Sequence, residues 1–257
     1  MSGPAPPRFE VIGVTGIGEI TAGDRLGETI VSAARSQGTA IEDGDLLVVT
    51  QKVVSKAEGR LVDLRDIEPS PLASELASTS GRDPRLVEVV LRESRSIVRT
   101  DPDRGIIICE TMHGFVCANA GVDTSNVPGE WMVSLLPEDP DRSARKIVHD
   151  IAEAAGADVG VVISDTHGRA WREGLTNLAI GVAGLSPILD YKGTTDMSGQ
   201  VLSVTAIAVA DELAATAELV MGKATGVPAA IIRGYAFPAG PGDTSDLVRN
   251  RATDLFR

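Results

Sequence analysis

The chain has 257 residues, enough for one large core or two small interlocked ones. Its 36 acidic against 24 basic residues leave a net charge of −12, which excludes broad binding to a nucleic-acid backbone. A single nucleotide stays open, because one phosphate chain needs only a local cationic pocket. No apolar run reaches bilayer length and Met1–Pro7 has no apolar signal core, so no membrane is expected and the expected location is cytoplasmic. Cys109 and Cys117 make neither a disulfide framework nor a zinc site and read as buried thiols that can face each other across a hairpin.

The first strand is predicted at Phe9–Val14, followed by a glycine-rich loop through Gly16, Ile17, Gly18, Glu19 and Ile20. The spacing is not that of a dinucleotide fingerprint, so the loop is either an ordinary turn or one that presents N–H groups to a polar ligand. A helix is expected over Leu26–Gln37 with Asp24 as its cap, its apolar residues falling on one face. A buried strand from Asp45 to Thr50 then runs into a polar patch that starts at Gln51 and carries Lys52 and Lys56. A lysine is costly to bury unpaired, so Lys52 is expected to lay its stem on the surface, while Lys56 is open between water and an anion.

Helices follow at Leu72–Ser78 and Pro84–Arg92, the latter with Pro84 in its first turn after Asp83. Strands are expected at Ile97–Arg99, Ile106–Cys109 and Phe115–Cys117, the last two forming a hairpin with His113 at an exposed tip. The hairpin empties into a loop with Asp123 and, three residues on, Asn126; an Asx-turn and a ligand-binding exit both fit this pattern. A helix capped by Asp139 or Asp141 should span Asp141–Ala155.

The next stretch, Val159 to Arg169, is the most informative. Its β-branched run reads as a strand buried on both faces, and it ends in Ser164-Asp165-Thr166-His167-Gly168-Arg169. Asp165 and Thr166 offer hard oxygen ligands suited to Mg²⁺ or Mn²⁺. The competing reading is that one of them caps a helix begun by Ala170–Glu173. Runs at Leu178–Val182 and Ile188–Lys192 follow, then a turn at Asp196–Gly199, a strand at Val201–Val204 and a helix over Ile207–Met221. Ala229–Arg233 is the last core strand, followed by a Pro/Gly-rich tail and a short C-terminal helix. No repeat, phosphate-binding P-loop, zinc-protease helix or hydrolase elbow is present.

Three motifs in register, Gln51-Lys52-Val53-Val54-Ser55-Lys56-Ala57-Glu58-Gly59, Ala120-Gly121-Val122-Asp123-x-Ser125-Asn126 and Ser164-Asp165-Thr166-x-Gly168-Arg169-x-Trp171-Arg172-x-Gly174, resemble the coenzyme F-420:L-glutamate ligase family. The similarity runs from about Phe9 to Phe256. It implies one ligase domain over residues 1–257. Some relatives also carry a nitroreductase-like C-terminal domain, and the chain stops where the ligase part would.

The resemblance further implies a mixed α/β (α+β) fold of interlocked sheets with flanking helices, in an intertwined homodimer. The implied reaction is GTP-dependent addition of L-glutamate to a deazaflavin coenzyme precursor, with further glutamates joined through γ-carboxyls. Mg²⁺ or Mn²⁺ would assist, and K⁺ is a candidate further ion. Carried over by position, Asp123 and Asp165 would hold one metal and Thr166 a second. Asn126, Lys56 and the Ile17-Gly18-Glu19-Ile20 loop would contact GTP, and Lys56, Asp165 and Arg169 would serve catalysis. Some relatives make a nucleotide contact through a serine where this chain has Gln51, and Lys223 stands where a relative carries a metal-binding amide.

A carboxylate is a poor acyl donor, and transfer of a γ-phosphoryl group to it gives an acyl phosphate that an amine can attack. The migrating charge must be neutralised by metal and cation, which is what two aspartates, a threonine and a lysine supply. A metal-dependent phosphohydrolase needs the same ligands without the amine, and a non-catalytic nucleotide-binding module needs no metal aspartates.

Overall fold

Three runs with apolar residues at consecutive positions lie side by side in the computed structural model, which describes residues 6–255. The chain termini at 1–5 and 256–257, including Phe256 and the ends of the expected 1–257 domain, lie outside the described residues. In order, the elements are β1 (Glu10–Val14), α1 (Leu26–Ser36), β2 (Leu46–Thr50), α2 (Gln51–Ala57), β3 (Leu61–Asp63), α3 (Pro71–Ser80) and α4 (Pro84–Arg92). Then come β4 (Ser94–Asp101), β5 (Ile106–Thr111), β6 (Val116–Ala118), β7 (Met132–Ser134), α5 (Pro140–Ala155), β8 (Gly160–Arg169) and β9 (Arg172–Ala183). The chain closes with β10 (Leu189–Asp190), β11 (Ala206–Ile207), α6 (Val209–Met221) and β12 (Ala229–Arg233).

The central sheet has five strands in the order β1-β12-β2-β8-β9. Only β2 and β8 run parallel, from Leu46 beside Gly160 to Thr50 beside Ser164. Alternate residues of these strands feed two cores. Leu47, Val49, Val161, Ile163 and Ile231 pack with α1 and α5 on one face, while Leu46, Val48, Val162 and Ile232 pack with α6 on the other. Burial on both faces is why the runs are continuously apolar. Each fully buried Leu, Ile or Val side chain contributes about 1.5–3 kcal/mol over an exposed one. A third cluster joins α3, α4 and β5, with β4-β5-β6 forming a separate three-stranded sheet. The architecture is mixed α/β, and among the described residues no helix is long and apolar enough to cross a membrane.

At its start β2 is locked to β12. Asp45, 2% exposed at its side chain, accepts from Arg233 Nε at 2.8 Å and from Arg233 Nη2 at 2.6 Å, and the Glu42 amide also donates to it. At its other end β2 passes directly into α2, so the polar patch at Gln51 is helical.

Several expectations change. β8 does not stop at Ser164 but pairs with β9 through Arg169, and Trp171 takes a left-handed φ of 59° at the tip, so no helix begins at Ala170. Leu178–Val182 is the inner part of β9. The strand expected at Val201–Val204 is reduced to a single bridge of Val201 with Thr195; the paired strand is β11, and α6 starts after it. The tail has 3₁₀ turns at Thr244–Leu247 and Arg251–Thr253 among the described residues in place of a C-terminal α-helix. Asp24 does not cap α1 but accepts from the Thr21 amide and hydroxyl, whereas Asp139 caps α5 through the Arg142 amide. The β5–β6 hairpin forms with Cys109 opposite Cys117, and His113 at its tip is half-buried against Phe115.

Candidate active site

The C-terminal end of the parallel β2–β8 pair gathers the three motifs. In α/β sheets this is the end at which side chains leave a rigid frame for a ligand. Lys52 and Lys56 stand on α2 just beyond β2, and Asp165 follows Ser164, the residue paired with Thr50. Asp123 reaches this end through an ion pair of its Oδ2 with Lys52 Nζ at 2.9 Å, and Lys52 also donates to the Ser125 hydroxyl. Lys52 is therefore paired, which corrects the surface-lying reading.

Asp123 Oδ1 accepts from the Ser125 amide at 2.7 Å, so the Asx-turn is real and leaves Oδ2 facing the cation. Burial pushes the Asp123 carboxyl up, but Lys52 and the Ser125 amide and hydroxyl outweigh it and hold the group below its ordinary value.

Asp165 differs from Asp45 and Asp123. Its side chain is 15% exposed, yet among the described residues its carboxylate accepts no hydrogen bond, and His167 Nε2 lies 3.5 Å from its Oδ2. That nitrogen is itself buried without a hydrogen-bond partner. Burial, and then the Asp165 charge, push the nearby Cys117 thiol up to about 12, which makes it inert. A carboxylate with unused lone pairs has the donor chemistry of a divalent-ion ligand, whereas the charge of Asp123 is already offset by Lys52. Asp165 fits such an ion, and Asp123 would join it by sharing its Oδ2 with Lys52.

Successive strand residues point to opposite sides, and Thr166 belongs to a different cluster. Its hydroxyl donates to Asn177 Oδ1 at 2.8 Å and accepts from Lys223 Nζ. Lys223 also pairs with Glu218 Oε1 at 2.8 Å. The one carboxylate of this set, Glu218, is already neutralised by the Lys223 ammonium, so no negative charge is left over for a second metal. Asn177 and Glu218 are the residues the sequence reading missed; a lone Asn in the apolar stretch Leu178–Ala183 borders on was the available signal.

Lys56 is bound to Glu19 Oε1 at 2.5 Å, and the Gly23 amide donates to the Ala57 carbonyl at 2.8 Å. The structure thus brings Lys56 together with the Ile17-Gly18-Glu19-Ile20 loop, in which Ile20 is buried and Gly18 and Glu19 are exposed. Asn126 is exposed in a left-handed turn with φ 56°. Gln51, by contrast, is 1% exposed and its amide oxygen accepts from Ser55 at 2.9 Å, which turns it away from solvent. Arg169 lies at the exposed β8–β9 tip, its guanidinium donating to the carbonyls of Glu173 and Gly174.

The family model for F420-0:Gamma-glutamyl ligase matches residues 16–234, which include every motif above. The chain belongs to this family. Over 252 residues it is 50% identical to the coenzyme F420:L-glutamate ligase of Methanothermobacter thermautotrophicus, covering 97% of this chain and 99% of that protein. The proteins of the same description from Methanopyrus kandleri and Archaeoglobus fulgidus are 47% and 41% identical, with 93% and 97% of this chain covered and 94% and 97% of theirs. The similarity therefore extends over the sheet and both helical layers.

Proposed function

We propose that the protein joins L-glutamate to the side-arm carboxylate of a deazaflavin coenzyme precursor at the expense of GTP, adding further glutamates through γ-carboxyls. The observation that carries this reading is the convergence of the family motifs on one end of the β2–β8 pair, around a carboxylate left without a hydrogen bond. In the first step the substrate carboxylate attacks the γ-phosphorus, the bond to the β-phosphate oxygen breaks, and GDP leaves with that electron pair. In the second the glutamate nitrogen attacks the acyl carbon, loses its proton, and phosphate departs as the amide forms.

Lys56 supplies a compact positive charge for the phosphates. Its present partner Glu19 is 72% exposed and can return to water when a phosphate takes its place. The Ile17–Ile20 loop and Asn126 frame the nucleotide, and Gln51 braces α2 from inside. Arg169 holds the hairpin tip in shape, and through it the strand that carries Asp165. A Mg²⁺ or Mn²⁺ ion held by Asp123 and Asp165 would neutralise charge on the migrating phosphoryl group.

The reading includes a cytoplasmic homodimer with interlocked sheets. It is supported by apolar side chains that stay exposed in one protomer, among them Leu175 at 69%, Val204 at 82% and Met197 at 108%. Light scattering at twice the protomer mass is the expected result.

The activity is tested by mass spectrometry of the deazaflavin precursor after incubation with GTP, Mg²⁺ and L-glutamate. A gain of one or more glutamyl units, with GDP formed in proportion, is expected. GDP release that needs neither acceptor nor glutamate, with no mass gain, points instead to a phosphohydrolase.

A further inference from the structure

We infer that the Lys223 ammonium takes the place of a second divalent cation in this protein, so that the site works with a single divalent ion. This rests on the ligase reading and concerns how its charge is supplied. An ammonium has three N–H donors. Lys223 Nζ directs them to three oxygens: Thr166 Oγ1, Asn177 Oδ1 at 3.2 Å and Glu218 Oε1 at 2.8 Å. Every donor is used.

The oxygens are held for this purpose. Asn177 is 3% exposed, and its amide nitrogen donates to Glu218 Oε2 at 2.7 Å and to Ser164 Oγ at 3.4 Å. With the nitrogen so engaged, the amide oxygen faces the ammonium. Glu218 is on the last turns of α6, and the backbone turns at Gly222, with φ 58°, before presenting Lys223.

One carboxylate and two neutral oxygens are hard donors of the kind a divalent ion takes. Here their single negative charge is already balanced by Lys223, and an entering ion would have to displace an ammonium that then remains beside it. On the other side of β8, Lys52 offsets the charge of Asp123, but no cation offsets Asp165, which accepts no hydrogen bond among the described residues, so one negative charge is left over there. The two positions are therefore unequal: one keeps a negative charge for an ion, the other is balanced by the chain itself.

The test is a count of bound metal. Protein is dialysed to equilibrium against Mn²⁺ and a non-hydrolysable GTP analogue, and bound Mn²⁺ and guanine are measured separately. The wild-type protein should bind one Mn²⁺ per nucleotide, and Lys223→Gln, which removes the charge and leaves an oxygen, should bind two. Lys223→Met is the second variant, because it frees the three oxygens without adding a donor, and it should also gain an ion. The Lys223 side chain is 57% exposed, so neither change should disturb folding.

Two Mn²⁺ per nucleotide in the wild type, or one in the wild type and both variants, would overturn the inference. The count is independent of turnover. Two ions in a wild type that still adds glutamate to the deazaflavin would defeat this inference and leave the ligase reading standing. One ion in the wild type and two in the variants, with no glutamate added, would do the reverse.

Discussion

The two ends of the central sheet hold an aspartate each, Asp45 buried and Asp165 partly buried, and they treat it in opposite ways. At the start of β2, Asp45 is held by two guanidinium nitrogens of Arg233 and by the Glu42 amide. At the far end, Asp165 sits beside an imidazole nitrogen at 3.5 Å and accepts no hydrogen bond among the described residues. A buried charge that is paired and bonded holds strands together, whereas one left unbonded is costly to keep and marks a place where a ligand completes the structure. On the proposed reading, identical side chains at the two ends of one sheet thus separate stability from chemistry.

Removing each aspartate should separate them experimentally. Asp45→Ala leaves the Arg233 guanidinium without its buried partner, and breaking such a pair costs about 3–5 kcal/mol. Denaturant unfolding should report that loss, while the protein that remains folded keeps its activity. Asp165→Asn should do the opposite. The amide preserves shape, so the unfolding midpoint should hold, but loss of the charge should lower kcat by about 10²–10³-fold, the scale set by one preorganised electrostatic group. Equal losses of stability in the two variants would erase the distinction between the ends.

The lysines sharpen the picture at the open end. Lys56→Met keeps an apolar stem of similar length and should lower kcat/KM for GTP by about 10²-fold with little change in melting temperature. Lys52→Met should cost less, about tenfold, because Lys52 orients Asp123 and a metal ion at that carboxylate can take over its charge. Losses of equal size would place both lysines in one structural role.

The smallest effect is in acid. The folded Asp123 carboxyl lies below its ordinary value of 3.8, so its pairing stabilises the fold above that value and the contribution is lost as pH falls below it. Lys52→Met should flatten the acid limb of a stability profile below about pH 4. A limb unchanged by the substitution would show that the pair contributes nothing to folding.

Much of the sheet was legible because residues buried on both faces must be apolar at every position, and Leu46–Val49, Gly160–Ile163 and Ala229–Ile232 are. Helices α4 and α5 announced themselves by an aspartate just before a proline in the first turn. The extension of β8 through Asp165 to Arg169 was not legible, because an exposed hairpin end carries polar residues and looks like a loop. At the site, Asp123, Asp165 and Lys56 stood out as charges at the ends of apolar or helical segments. The Lys223 cluster did not, because its partners Thr166 and Asn177 lie 57 and 46 residues away and only the packing of α6 on β9 brings them together. Lys52 was misread for the same reason: Asp123, 71 positions on by residue number, supplies the carboxylate that no local pattern shows.

The central claim is that the open end of the sheet, centred on Asp165, is where glutamate is joined to the deazaflavin. It is tested most directly by following the mass of the deazaflavin precursor and the release of GDP together, in wild type and Asp165→Asn, with GTP, Mg²⁺ and L-glutamate supplied. The account predicts glutamyl addition matched by GDP in the wild type, and both products slowed by about 10²–10³-fold in a variant that unfolds at the wild-type denaturant concentration. A folded Asp165→Asn protein that adds glutamate at the wild-type rate would contradict it.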